Sequence, residues 1–136
     1  MSVVLDTNVV VALMDADDRH HDAAVVWIGL LDEDLVTTPM AVAEMDYFAQ
    51  HVGGPSAAER LWDQFDDGAF VVRWWADAMR ETIAIARRHP WIGLADASLL
   101  ALAGLLRTNR VATFDDHFRS LTTPAGEPFV LLPDDA

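Results

Sequence analysis

The sequence predicts an α/β domain built on a mainly parallel, five-stranded sheet. Three observations carry that expectation. Short runs rich in Val, Leu and Thr alternate with longer segments of helical apolar spacing, the pattern of right-handed βαβ units. The 136 residues, 52% of them hydrophobic and five of them Trp, suffice to bury one core and exclude a disordered chain. No repeat, low-complexity tract or linker divides the sequence, so residues 1–136 are expected to form a single domain.

Residues 1–5 read as a buried strand, and the Val-rich segment 8–14 as a short helix after it. A polar turn, Asp15-Ala16-Asp17-Asp18, leads to a helix over about 20–31 with Ala24, Trp27, Ile28 and Leu31 at core spacing. Leu35-Val36-Thr37 is the second strand. Thr38 is suited to N-cap a helix with Pro39 at its first position, running to about His51. Gly53-Gly54-Pro55 stops that helix, and Ser56 is expected to cap the next, 57–65. Residues 70–74 form a third strand, and a helix over 76–88 ends before His89-Pro90. The nearly all-apolar segment 94–107 is expected to be the most buried helix. Residues 111–113 and 129–132 supply the last two strands, separated by the Gly126 and Pro128 breaks.

Four acids stand out against this frame. Asp6 ends the first strand, and Asp115 lies two residues beyond the fourth. Glu44 shares a helix face with Ala41 and Phe48, and Asp96 is the only charge in residues 91–106. Each has a plainer reading. Asp6 and Asp115 suit helix N-caps, Asp116 could cap the turn His117-Phe118-Arg119, and Asp96 suits the positive end of its helix. A buried, unpaired carboxylate nevertheless costs several kcal/mol, so Glu44 and Asp96 ask for partners. A parallel sheet gathers all four positions at the carboxyl ends of its strands, where open α/β sheets bind ligands. Carboxylates so gathered repel one another and call for a cation; an all-oxygen set suits Mg²⁺ or Mn²⁺. That pairing suits phosphodiester hydrolysis, since a metal acidifies bound water and polarises the phosphoryl oxygen.

Composition removes several competitors. Twenty-two acids face nine Arg and no Lys, for a net charge of −13. Receiver-type phosphoacceptors and haloacid-dehalogenase-like phosphatases also place an Asp after the first strand, but both normally add a Lys that this chain lacks. The absence of Cys excludes disulfides and thiolate zinc sites. No signal-peptide pattern and no run long enough to span a bilayer is visible, so a cytoplasmic protein is expected, with no membrane association.

Val4-Leu5-Asp6-Thr7-Asn8 resembles the opening of PIN-domain ribonucleases, particularly VapC-type toxins of bacterial toxin–antitoxin systems. Thr38-Pro39-Met40-Ala41-Val42-Ala43-Glu44, Leu94-Ala95-Asp96-Ala97 and Ala112-Thr113-Phe114-Asp115-Asp116-His117-Phe118 resemble that family's later acidic motifs in order, and the spacing of His21, Ala24 and Trp27 fits its second helix. The resemblance spans about residues 3–132. It implies a three-layer α/β/α sandwich, Mg²⁺- or Mn²⁺-dependent endoribonuclease activity, a cognate antitoxin with a basic segment and a homodimer. It makes Asp6, Glu44, Asp96 and Asp115 the catalytic and metal-binding acids, with Asp115 or Asp116 as the fourth. Thr7, Asn8 and Thr113 would orient carboxylates or metal-bound water. The alternatives are a metal-dependent phosphoesterase on another substrate and a non-catalytic module of the same fold.

Other features invite plainer readings. His20 and His21 diverge on a helix and no third ligand joins them; His117 lies close enough to Asp115 to reach the cleft, but reads as a turn residue. Trp27 and Trp62 read as core, while one of Trp74 and Trp75 should face outward. Arg87 and Arg88 complement a helix dipole. The charge of −13 argues against broad RNA affinity and suits a basic protein segment.

Overall fold

The computed structural model describes residues 2–136; the Met1 end of the expected first strand lies outside them. Five strands form one parallel sheet: β1 (Ser2–Leu5), β2 (Asp34–Thr37), β3 (Val71–Val72), β4 (Arg110–Ala112) and β5 (Val130–Leu132), in the spatial order β3-β2-β1-β4-β5. In the register, Val4 lies opposite Val36 on one side and Val111 on the other. The central strand is apolar on both faces, with Val3, Val4 and Leu5 fully buried, as expected where helices cover both sides of a parallel sheet.

From β1 the chain moves outward through β2 to β3, then returns across the sheet to β4. Right-handed crossovers therefore place α1 (Thr7–Met14), α2 (His21–Leu30) and α3 (Pro39–Asp66) on one face and α4 (Ala78–Arg88) and α5 (Gly93–Leu106) on the other. Packing largely follows this division: α1 lies against α2 and α3, and α4 against α5, while α3 also meets α5. The result is the three-layer α/β/α sandwich. The reversal creates a topological switch point between β1 and β4, where a crevice opens beyond the strand ends.

The helix of residues 93–106 is the most buried, with Ala97 through Ala103 all enclosed. It ends on Arg107 in a left-handed conformation, φ 53°. Thr38 caps α3 as expected, its hydroxyl accepting from the Ala41 N–H at 3.3 Å, with Pro39 in the first turn.

The break expected at Gly53-Gly54-Pro55 is present: Gly54 adopts φ 69°, ψ −161°, a conformation that suits glycine, so α3 is two helical halves meeting at a kink. Three other expectations need correction. Ser56 does not cap; its hydroxyl donates to the Gly53 carbonyl at 3.5 Å. The third strand shrinks from 70–74 to Val71–Val72, an edge strand paired only with β2, with both residues exposed and Phe70 buried beside them. Trp62 is 48% exposed, its indole N–H donating to Asp46 at 2.7 Å, because the kink turns that face of the second half outward. As expected of the consecutive pair, Trp74 faces solvent, while Trp75 is half-buried and donates to Glu81 at 3.1 Å.

Candidate active site

The switch-point crevice is a cleft of about 460 Å³ whose lining includes all four expected acids, Asp6, Glu44, Asp96 and Asp115. Each reaches it from a different element. Asp6 follows β1, Glu44 lies in the second turn of α3, Asp96 in the first turn of α5, and Asp115 three residues past β4. The plainer capping reading also holds, at the same time. Asp6 caps α1 by accepting from the Thr7 N–H at 2.7 Å, and Asp115 caps the 3₁₀ turn Asp116–Ser120 by accepting from the His117 N–H at 3.2 Å. Capping fixes each carboxylate beside its strand end while leaving a lone-pair edge for the cleft. Asp116 points away: its side chain is 89% exposed and meets Arg119 at 3.4 Å.

A hydrogen-bond web built from Thr7, Asn8 and Thr113 holds the acids. Thr113 is buried; its hydroxyl donates to Asp6 Oδ2 at 2.8 Å and accepts from Asn8 Nδ2 at 3.1 Å and from the Asp115 N–H at 3.0 Å. One hydroxyl thereby ties the first acid to the fourth with all its capacity used. The Asn8 carbonyl oxygen accepts from the Phe114 N–H at 3.0 Å, which orients its amide. Thr7 Oγ1 lies 3.5 Å from the Ala41 carbonyl, a long contact that borders α3.

Asp6 is only 6% exposed, and its carboxyl is pushed up from 3.8 to about 7. Burial is the largest cause, followed by the charge of Asp96; the bonds from Thr113 and Thr7 pull the other way, and Glu44 adds repulsion. Asp96 is raised as well, chiefly by burial, against the lowering effect of His117. No Arg and no Lys lines this cleft.

His117 occupies the expected turn and also reaches the cleft. Its Nε2 lies 3.3 Å from Asp115 Oδ1 and its Nδ1 3.5 Å from Asp96 Oδ2, so the imidazole bridges two of the acids. Its position in the Asp115-Asp116-His117 motif, two residues past the capping Asp, was the available signal. Ser98 was missed. Its hydroxyl donates to the Ala95 carbonyl at 2.6 Å and meets Thr38 Oγ1 at 2.7 Å, stapling the start of α5 to the start of α3 and so setting Asp96 relative to Glu44. Sequence offers no mark that distinguishes such a serine. His20 and His21 are structural, as expected: His20 stacks on Phe114 with centroids 4.3 Å apart, and His21 Nδ1 meets the Ala12 carbonyl at 2.7 Å.

Among the described residues no three carboxylate or imidazole groups stand close enough, as the side chains lie, to ligate a single ion. Asp96 is instead turned toward His117, 3.5 Å away. The donor set itself fits a hard divalent cation: five carboxylates line the cleft, the four expected and Asp18, which the sequence did not single out. Asp6 is buried and strained by its neighbours, and no Arg or Lys balances them.

Comparison with known proteins agrees with this arrangement. The chain is 40% identical over 135 residues to ribonuclease VapC29 of Mycobacterium tuberculosis, covering 98% of both sequences. It is 29% identical over 135 residues to ribonuclease VapC26 of the same species, covering 96% of this chain and all of that one. Among solved structures it resembles the sarcin-ricin loop cleaving toxin VapC20 of M. tuberculosis, with a TM-score of 0.78 and 19% identity over 85% of this chain and 91% of that one. It also resembles VapBC2 from Rickettsia felis, solved bound to a DNA fragment from its promoter, with a TM-score of 0.65 and 12% identity over 96% and 97% of the two chains. At those identities the two structures speak for the fold alone. The sequence match goes further: the PIN domain family covers residues 3–123, from the strand before Asp6 to beyond Asp115, and the chain belongs to that family.

Proposed function

We propose that this chain is a metal-dependent endoribonuclease, the toxin of a toxin–antitoxin pair, working in the cytoplasm as a single domain over residues 1–136. The observation that carries the reading is Asp6: a buried carboxyl held near pKa 7 by burial and by Asp96, in a cleft without Arg or Lys. Such a group is costly unless a cation joins it. The ribonucleases VapC29 and VapC26 that the chain matches along nearly its whole length support RNA as the substrate.

On this reading Asp6, Glu44, Asp96 and Asp115 hold Mg²⁺ or Mn²⁺, which when bound acidifies water and polarises the phosphoryl oxygen. Thr113 and Asn8 keep Asp6 and Asp115 in place through the bonds described above, and Thr7 fixes Asp6 through its backbone N–H. His117 contacts both Asp96 and Asp115, and a bound cation would compete with its imidazole for those two carboxylates.

The same charge logic shapes the partners. A −13 protein with an acidic cleft attracts a cationic segment, and a guanidinium matches carboxylates bidentately. The cognate antitoxin therefore inhibits by placing an Arg or Lys of a basic segment among the acids. A homodimer is the assembly expected from the resemblance.

Incubating the purified protein with RNA, single-stranded DNA and a generic phosphodiester, with Mg²⁺, Mn²⁺ or EDTA, tests the reading. RNA cleavage that requires the metal and disappears in Asp96→Asn is the expected result. Cleavage that survives exhaustive chelation, or wild-type rates from Asp96→Asn, overturns it. Co-expression with a small basic-tailed partner should restore growth that expression of this chain alone slows.

A further inference from the structure

We propose that Trp91 is a base-stacking subsite, engaging one unpaired nucleobase beside the scissile phosphate of a single-stranded RNA segment. The inference rests on the nuclease reading above and deepens it.

Trp91 sits in the turn between α4 and α5, two helices that meet at 116°. Its chain neighbours fix it firmly. Pro90 restricts the backbone before it, and Ile92 after it is 8% exposed, packs into the core and donates its N–H to the His89 carbonyl at 3.1 Å. Gly93 then turns with φ +77° into α5, three residues ahead of Asp96. Held between these anchors, Trp91 remains 56% exposed. Its ring meets His117 edge to face, centroids 6.0 Å apart, and that same imidazole touches both Asp96 and Asp115. The indole is therefore joined to the acidic cleft through a single side chain.

Charge decides what this ring is for. Most proteins hold nucleic acid chiefly through Lys and Arg on phosphates. This chain has no Lys, none of its nine Arg lines the cleft, and its net charge is −13. A cation among the acids can hold the phosphate undergoing cleavage but not the flanking nucleotides. At the cleft itself, affinity for those comes from uncharged contacts, and stacking on an aromatic face, about 1–3 kcal/mol per base, is one that any nucleobase can make. A base inside a duplex already stacks on its neighbours, so the subsite selects unpaired nucleotides.

The experiment first maps a bond that the wild-type, metal-loaded protein cleaves in single-stranded RNA. The same oligonucleotide is then made with an abasic residue on the 5′ or the 3′ side of that bond. Trp91→Ala should raise KM by about 5- to 150-fold, the range for losing one stacked base, with kcat changed far less. Trp91→Phe should recover most of the loss. One of the abasic substitutions should cost the wild type a similar factor, and Trp91→Ala should add nothing further on that substrate. Equal KM for wild type and Trp91→Ala overturns the subsite, as does a loss that persists undiminished on both abasic substrates. Should Trp91→Ala fail to fold, the wild type decides alone, and indifference to both abasic substitutions is the overturning result. Unchanged cleavage together with weakened binding of a co-expressed partner assigns Trp91 to that partner and overturns it too. No RNA cleavage by the wild type defeats the nuclease reading itself and the subsite with it, whereas cleavage indifferent to Trp91 defeats only the subsite.

Discussion

Replacing Asp6 by Asn should stabilise the metal-free protein at alkaline pH and fail to do so in acid. The carboxyl is raised from 3.8 to about 7, first by burial and then by Asp96. Between those values the folded state keeps a proton that the unfolded chain has released, so stability falls as pH rises through that window. Above it the full penalty applies, about three units at 1.36 kcal/mol each, or on the order of 4 kcal/mol. Asn removes the charge but faces an obstacle. The Thr113 hydroxyl already accepts from Asn8 and from the Asp115 N–H, so its own hydrogen points at residue 6, 2.8 Å away, the Asn8 Oδ1 alternative lying at 3.5 Å. Whichever way the new amide turns, it sets an N–H against either that donor or the Thr7 N–H that Asp6 now accepts. An opposed buried donor costs about 1–3 kcal/mol. The net gain is then about 1–3 kcal/mol, or about 3–10 °C in melting temperature for a chain of this size. The assay is thermal melting of both proteins in EDTA from about pH 5 to about pH 8.5. The difference should favour Asp6→Asn at the high end and vanish or reverse at the low end, where wild-type Asp6 is itself neutral. A variant less stable at every pH, or a difference independent of pH, would refute the reasoning.

Mg²⁺ or Mn²⁺ should raise the wild-type melting temperature by mass action, about 2.7 kcal/mol at a hundredfold excess over Kd, and EDTA should reverse the shift; Asp6→Asn should lose most of this response in the same titration. Asp115→Asn should abolish RNA cleavage while Asp116→Asn leaves it near wild type, because Asp116 points to solvent; gel assays that reverse this order would make Asp116 the fourth acid. Thr113→Val should weaken metal binding measured calorimetrically and lower the melting temperature, since Asp6, Asn8 and the Asp115 N–H lose one shared partner. Asp135→Asn should loosen the turn Asp116–Ser120, because Arg119 donates to both Asp135 oxygens at 3.0 and 3.2 Å. The Arg119 bonds and the Leu131 N–H hold that carboxyl below its ordinary value, so its contribution is lost as pH falls, and acid melts of wild type and variant should converge.

The parts of this molecule visible in the sequence are those where one local rule dominates. Asp6 was legible because a charge directly after a buried strand has few places to go, and α5 because fifteen of the sixteen residues in 91–106 carry no charge. Thr38-Pro39 announced a helix start through capping chemistry that needs no tertiary context. Elements failed where a long-range contact overruled the local pattern. Val71–Val72 stops short because only β2 is available to pair with an edge. Trp62 has core spacing, but the Gly54 kink rotates the second half of α3, so the residue hydrogen bonds to Asp46 sixteen positions away. Ser98 was illegible for the same reason, since it acts through Thr38, sixty positions away; His117 was half legible, its closeness to Asp115 being local and its contact with Asp96 not.

The web around Asp6 explains how a cleft of like charges can persist in the folded chain with no cation present. Repulsion among four carboxylates favours any motion that separates them, yet Asp6 cannot move without breaking bonds to Thr113 and to the Thr7 N–H. Asp115 is held by the same threonine and by its cap on His117, and Asp96 by a helix whose first turn is stapled to Thr38 through Ser98. The freedom that remains lies in side-chain rotation, which lets Asp96 turn to His117 while the backbone positions stay fixed. On the proposed metal-dependent reading, a bound cation would relieve the penalty carried by the buried Asp6 carboxyl, and the fixed backbone would leave the adjustment to the side chains. That division of labour makes a specific demand: substitutions in the web should weaken metal binding even where no carboxylate is touched, and Thr113→Val is the variant that isolates it.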